Sequence, residues 1–231
     1  MLGKVDDLLS LGQQDGKQPS GHEWEGLMEP RVLILGIGNV LWADEGFGVR
    51  CVERLAQRAR FPENVTLLDG GTQGLYLLPF LEEADILIVF DAVDYGLTPG
   101  TIKIVEGDEV PSFMGAKKMS LHQTGFQDVI ATSELMGYRP ETLILIGCQP
   151  EELEDYGGGL RDVVSAQIDP AIDIALEKLA ALGIVAADGA ADASLLADRA
   201  ILRDAYESGR PSEQDACRTG DDRFFPKSES A

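Results

Sequence analysis

The sequence predicts a doubly wound α/β fold: a mainly parallel, twisted sheet of about five strands with helices on both faces. Three observations point there. The runs RVLILGI (31–37), ILIVF (86–90) and LILI (143–146) are continuously apolar, the pattern of strands buried on both faces. The stretches between them carry apolar residues at helical spacing. Strand and helix patterns alternate along the chain, the arrangement that builds parallel sheets from crossover units.

Taken in order, the first strand at 31–37 ends in Gly36-x-Gly38-Asn39. Residues 45–60 then read as a helix, with Val49, Val52, Ala56 and Ala59 on one stripe. A second strand spans 65–68 and is broken by Asp69-Gly70-Gly71; a short helix follows at 74–81. The third strand, 86–90, ends at Asp91, and the alternating segment 101–105 suits a sheet edge. An amphipathic helix over 124–136 precedes the strand at 143–146, and a long helix over 160–182 has a kink expected before Pro170.

These elements define one domain over 31–184. Residues 1–30 are expected as a flexible extension with a short helix near 5–11. Residues 185–231 are expected as a low-complexity, partly disordered tail with one more helix near 194–206. The net charge of −21 repels phosphate backbones and anionic lipid, so neither nucleic acid nor membrane is an expected partner; a cation is better matched. Three scattered cysteines, Cys51, Cys148 and Cys217, form no CxxC pair and read as reduced thiols. The opening MLGKVDD lacks a signal-peptide pattern, so a cytoplasmic location is expected.

Ligands of doubly wound sheets bind beyond the carboxyl ends of the strands, where the winding reverses. The polar residues after the buried strands are Asn39, Asp44, Glu45, Asp69, Asp91 and Asp94, with His122 in a loop ahead of a later helix. If the first and third strands are neighbours, the Glu45 and Asp91 loops flank one crevice. A dinucleotide reading of Gly36-x-Gly38 is weak: residue 41, where a third glycine belongs, is leucine, and Asp44 and Glu45 oppose a pyrophosphate. Asp44 reads as the helix cap and Glu45 as a ligand. A carboxylate closing an apolar strand, as Asp91 does, loses hydration unless a cation or donors compensate it. Glu45, Asp91 and His122 form an O,O,N set suited to a divalent transition metal such as nickel, zinc, manganese or iron; spacing alone leaves their convergence open.

The segments LGIGNVLWADEGFGVR (35–50), LDGGTQGLYLLP (68–79), DAVDYGLTPGT (91–101), KMSLHQTGF (118–126) and IGCQPEELEDYGGGL (146–160) resemble the hydrogenase maturation endopeptidases of the HyaD, HybD, HupD and HoxM type. The resemblance covers 31 to about 183. It implies an endopeptidase that removes the C-terminal extension of the nickel–iron hydrogenase large-subunit precursor after nickel insertion, recognising metal that the substrate carries, with no organic cofactor. It assigns metal contact to Glu45, Asp91 and His122. Asp91 is the expected base for an attacking water, in an aspartic-type or metal-dependent mechanism, and Asp69, Gly70, Gly71 and Thr72 are expected to line the peptide groove. Two alternatives are a non-catalytic nickel-sensing chaperone of hydrogenase assembly and a cysteine hydrolase using Cys148 with His122.

Overall fold

The computed structural model describes residues 29–110, 121–190 and 202–209; of 121–125 it describes the backbone alone. The expected N-terminal extension and its short helix, and most of the C-terminal tail, lie outside those residues.

Five strands form the main sheet: β1 (Val32–Ile37), β3 (Val65–Gly71), β4 (Ile86–Ala92), β5 (Ile102–Glu106) and β6 (Thr142–Cys148), in the order β3-β1-β4-β6-β5. The first four run parallel, and β5 pairs antiparallel with β6 at the edge. The chain winds from β1 outward to β3, then crosses back to β4 on the other side of β1. The reversal therefore lies between β1 and β4, the first and third of the predicted strands.

Alternation of side chains splits the core into two layers. Val32, Ile34, Ile86, Ile88, Phe90, Ile144 and Ile146 face α1 (Phe47–Arg58) and a later long helix. Leu33, Leu35, Leu87, Val89, Leu143 and Leu145 face α2 (Leu78–Glu83) and α3 (Leu121–Leu135), which contributes Phe126, Val129 and Ile130. A strand buried on both sides has no polar face, which is why β1, β4 and β6 read as solid apolar runs.

Several boundaries move. The predicted first helix begins as a 3-10 turn, Ala43–Gly46, before α1 proper; its last residues become β2 (Ala59–Arg60), paired antiparallel with β7 (Ala187–Asp188). A 3-10 turn, Gly74–Leu77, also precedes α2. β3 is not broken at Asp69: it runs on to Gly71, with its register to β1 shifting so that Gly36 meets Asp69 and Ile37 meets Gly71. The long helix divides into α4 (Asp162–Ser165) and α5 (Ile168–Ala181). Pro170 lies in the first turn of α5, where its missing N–H is no loss, so the break precedes it instead of being caused by it. The final described helix, α6 (Arg203–Gly209), lies partly beyond the expected 194–206 span.

Glycine lets α1 sit on the strand ends. A Cβ on Gly48 would lie 2.1 Å from the Phe90 carbonyl oxygen and 2.4 Å from that of Ile37. Both obstacles are backbone, which cannot rotate away. Gly48→Ala is expected to lower unfolding stability by at least about 2 kcal/mol in urea titration, by prying α1 off β1 and β4.

Candidate active site at the carboxyl edge

The turn after β1 is built tightly. Asn39 Oδ1 accepts the Leu41 amide at 3.0 Å, and Glu45 N donates to Trp42 O at 2.9 Å. Gly38, at φ +131°, passes so close beneath that a Cβ there would stand 1.7 Å from Glu45 O. Ala43 holds φ +38°, a left-handed conformation that an alanine keeps only where its surroundings fix it. The Ala43–Gly46 turn packs against β4, so Glu45 stands at the β1–β4 junction, and its Oε2 is closed off from solvent.

Asp44 does not cap a helix as the sequence suggests. No side chain caps the turn or α1; the Asp44 carboxylate instead reaches across the sheet. Its Oδ2 accepts the Glu151 and Glu152 amides, both at 2.9 Å, and its Oδ1 accepts the Arg161 amide at 2.7 Å. Asp44 N donates back to Glu152 O at 3.1 Å. Outside this, Gly157 N donates to Leu41 O at 2.7 Å, and the Trp42 and Tyr156 rings meet edge-on at 5.2 Å.

Asp91 lies within β4, one residue before its end, opposite Gly147 of β6, and is 1% exposed. Alternation sets it on the same side as Leu87 and Val89, the layer covered by α3. Its Oδ2 is closed off from solvent. The Tyr95 hydroxyl packs so near Gly147 that a Cβ there would meet it at 2.3 Å. Burial, and then the Asp91 and Cys148 charges, hold the Tyr95 phenol well above its ordinary range. Lys103 Nζ stands 4.9 Å from the centre of the Tyr95 ring.

Where sequence reasoning expected His122 in a loop, α3 already begins at Leu121, so His122 falls in its first turn. Its side chain lies outside the described residues. α3 leads into β6 at the amino edge, where Thr142 N bonds Asp85 O. The start of α3, about 1.5 Å per residue away along the helix, is therefore at the carboxyl edge. Among the described residues no three His, Cys, Asp or Glu side chains gather as a metal site, and two of the three expected ligands, Glu45 and Asp91, belong to that set.

Asp69 and Gly70 belong to the end of β3 and not to a loop; Gly71 N-ward of the turn closes the strand, and Thr72 is exposed. β3 is the edge strand on this side. Burial raises the Asp69 carboxyl above its usual range, against a lowering bond from Gly71 N–H and the charge of Arg50.

Gln149, which sequence reasoning did not single out, organises the loop after β4. Its Oε1 accepts the Tyr95 and Leu97 amides at 2.7 and 3.1 Å, and its Nε2 donates to Asp94 Oδ1 at 2.9 Å. A glutamine after a strand carries no signal for such contacts, because its partners lie more than fifty residues earlier. Cys148 sits on the opposite layer from α3, wholly buried beside the α1 side of the core. Burial and the Asp44 charge push its thiol up to about 12.

The comparisons with known proteins agree with one another. A family model described as hydrogenase maturation protease matches residues 49–178, which hold Asp91 and His122, with Glu45 just ahead. The chain is 69% identical over 196 residues to the hydrogenase expression/formation protein HupD of Rhodobacter capsulatus, covering 85% of this chain and 93% of that one. It is 43% identical over 157 residues to the hydrogenase 2 maturation protease of Escherichia coli, covering 68% of this chain and 94% of the relative. The solved structure of the hydrogenase maturating endopeptidase HybD from Escherichia coli superposes with TM-score 0.65 at 42% identity, covering 68% of this chain and 97% of that one. With the family model, the relatives and the shared fold in agreement, this chain belongs to the hydrogenase maturation protease family.

Proposed function

We propose that this endopeptidase removes the C-terminal extension of the nickel–iron hydrogenase large-subunit precursor after nickel insertion, in the cytoplasm, by docking the nickel that the precursor carries on Glu45, Asp91 and His122. The observation that supports it most is that two solvent-shielded carboxylates stand at the ends of adjacent strands where the winding reverses: Glu45 in the turn after β1 and Asp91 near the end of β4. Carboxylates so placed favour a cation, and the first turn of α3 brings the His122 backbone to the same edge. Oxygen and imidazole donors together suit nickel, which here is cargo of the substrate and not a resident cofactor.

In this reading, the docked metal fixes the cleavage site against the crevice and a water attacks the scissile carbonyl. Asp91 takes the proton of that water and returns it to the leaving amine. The end of edge strand β3, with Asp69, Gly70, Gly71 and Thr72, lines the groove for the extended peptide.

The cysteine-hydrolase reading is disfavoured. A thiol pushed up to about 12 is about one part in ten thousand thiolate at pH 8, and Cys148 faces the layer away from α3. The chaperone reading predicts a precursor of unchanged mass.

Three outcomes are expected. Glu45→Ala, Asp91→Ala and His122→Ala each slow cleavage of nickel-loaded precursor by at least about 100-fold, read by mass spectrometry; normal cleavage in all three discards the site. Precursor lacking nickel stays uncut, and efficient processing without it removes the recognition scheme. At pH 8 a thiol-directed reagent leaves Cys51 and Cys148 unlabelled in the native chain and labels both in urea, as site-resolved mass shifts record.

A further inference from the structure

We propose that Asp44 is a positioning residue for Glu45: its carboxylate clamps the turn that carries Glu45 onto the loop after β6. The proposal rests on the protease reading above and adds to it a residue that touches neither substrate nor metal.

The geometry is specific to a carboxylate. Asp44 is wholly buried, and its two oxygens accept three backbone amides, from Glu151, Glu152 and Arg161. Each bond is charge-assisted, and three such donors compensate the loss of hydration that would otherwise expel the charge. An asparagine cannot copy this. Whichever way its amide is turned, the NH2 group faces an amide N–H, so one side of the clamp becomes donor against donor.

The clamp acts on Glu45 because the turn has no slack. Below it, Gly38 closes on the Glu45 carbonyl; within it, Ala43 holds φ +38°. Asp44 N to Glu152 O at 3.1 Å and Gly157 N to Leu41 O at 2.7 Å tie the backbone on both sides of that strained residue. In the strand order β1 and β6 flank β4, so loops joined across that gap meet at the end of the strand that bears Asp91. The clamp therefore fixes Glu45 relative to Asp91. A ligand pair displaced by about 1 Å costs on the order of 100-fold in rate, whereas a clamp that only stabilised the fold would leave the rate of the folded fraction untouched.

The test uses the full-length wild-type, Asp44→Asn and Tyr156→Ala chains, with nickel-loaded precursor as substrate. Residue-resolved amide exchange is expected to speed up by at least about 100-fold in Asp44→Asn on the side of the clamp that the NH2 group faces, either Arg161 or the Glu151–Glu152 pair, while β1 and β4 amides stay protected. With rates corrected for the folded fraction from circular dichroism, kcat falls at least about 10-fold and KM stays within about 3-fold. Tyr156→Ala loosens the same bridge from its exposed rim and leaves the core filled, so it shows the pattern at about two- to five-fold amplitude. Three results overturn the proposal: amides that stay protected in Asp44→Asn, freed amides with a wild-type kcat, or a kcat loss that vanishes on correction for folding. Cleavage by the wild-type chain in the same series reports on the protease reading, separately from the clamp, which the exchange rates decide.

Discussion

Everything at the carboxyl edge depends on how closely the first helix lies against the sheet. Gly36 and Gly48 face each other there, and a Cβ on Gly36 would stand 2.4 Å from the Gly48 carbonyl oxygen. Helix and strand meet backbone to backbone, with no side chains between them. That contact leaves the preceding turn nowhere to go but over the end of β4, and so it sets Glu45 beside the strand that carries Asp91. The glycines of the Gly-x-Gly motif serve this packing. A dinucleotide is not needed to explain them.

Around this seat, polar side chains replace regular hydrogen bonding in the loops. Asp44 and Gln149 do the same job with different chemistry. One is a carboxylate that accepts amides from a distant loop; the other is an amide that both accepts and donates within the loop after β4. Irregular backbone cannot be buried without partners for its N–H and C=O groups, and each of these side chains supplies them. The loops can thus be shaped for a ligand while the strands beneath remain apolar.

The central strands were legible because burial on both faces writes a periodicity into consecutive residues. The neighbour relation of the first and third strands stood only as a condition in the sequence, and the sheet order meets it. Asp91 was legible for the same reason, as a charge that interrupts an apolar run. Asp44 was visible but misread: first-turn acids cap helices by local bonds, while its partners lie at least 107 residues onward. The continuation of β3 through Asp69 and Gly70 was hidden because glycines signal breaks, and only pairing with β1 holds them in the sheet. α3 starts at Leu121, three residues ahead of the expected 124.

The chain beyond the sheet takes part in keeping α1 dry. Arg50 and Glu53 form an ion pair at 2.8 Å on α1, with side chains only 5% and 8% exposed. The second oxygen of Glu53 accepts the Arg203 amide at 2.7 Å, and Tyr206 lays its ring 5.7 Å from the Arg50 guanidinium carbon. Charges out of water need all their partners, and the last of these come from α6, well past residue 178 where the family match stops. A chain without a counterpart of α6 would have to shelter, hydrate or replace this arginine–glutamate couple by other means, because these two helix positions and the segment after the sheet are bound in one network.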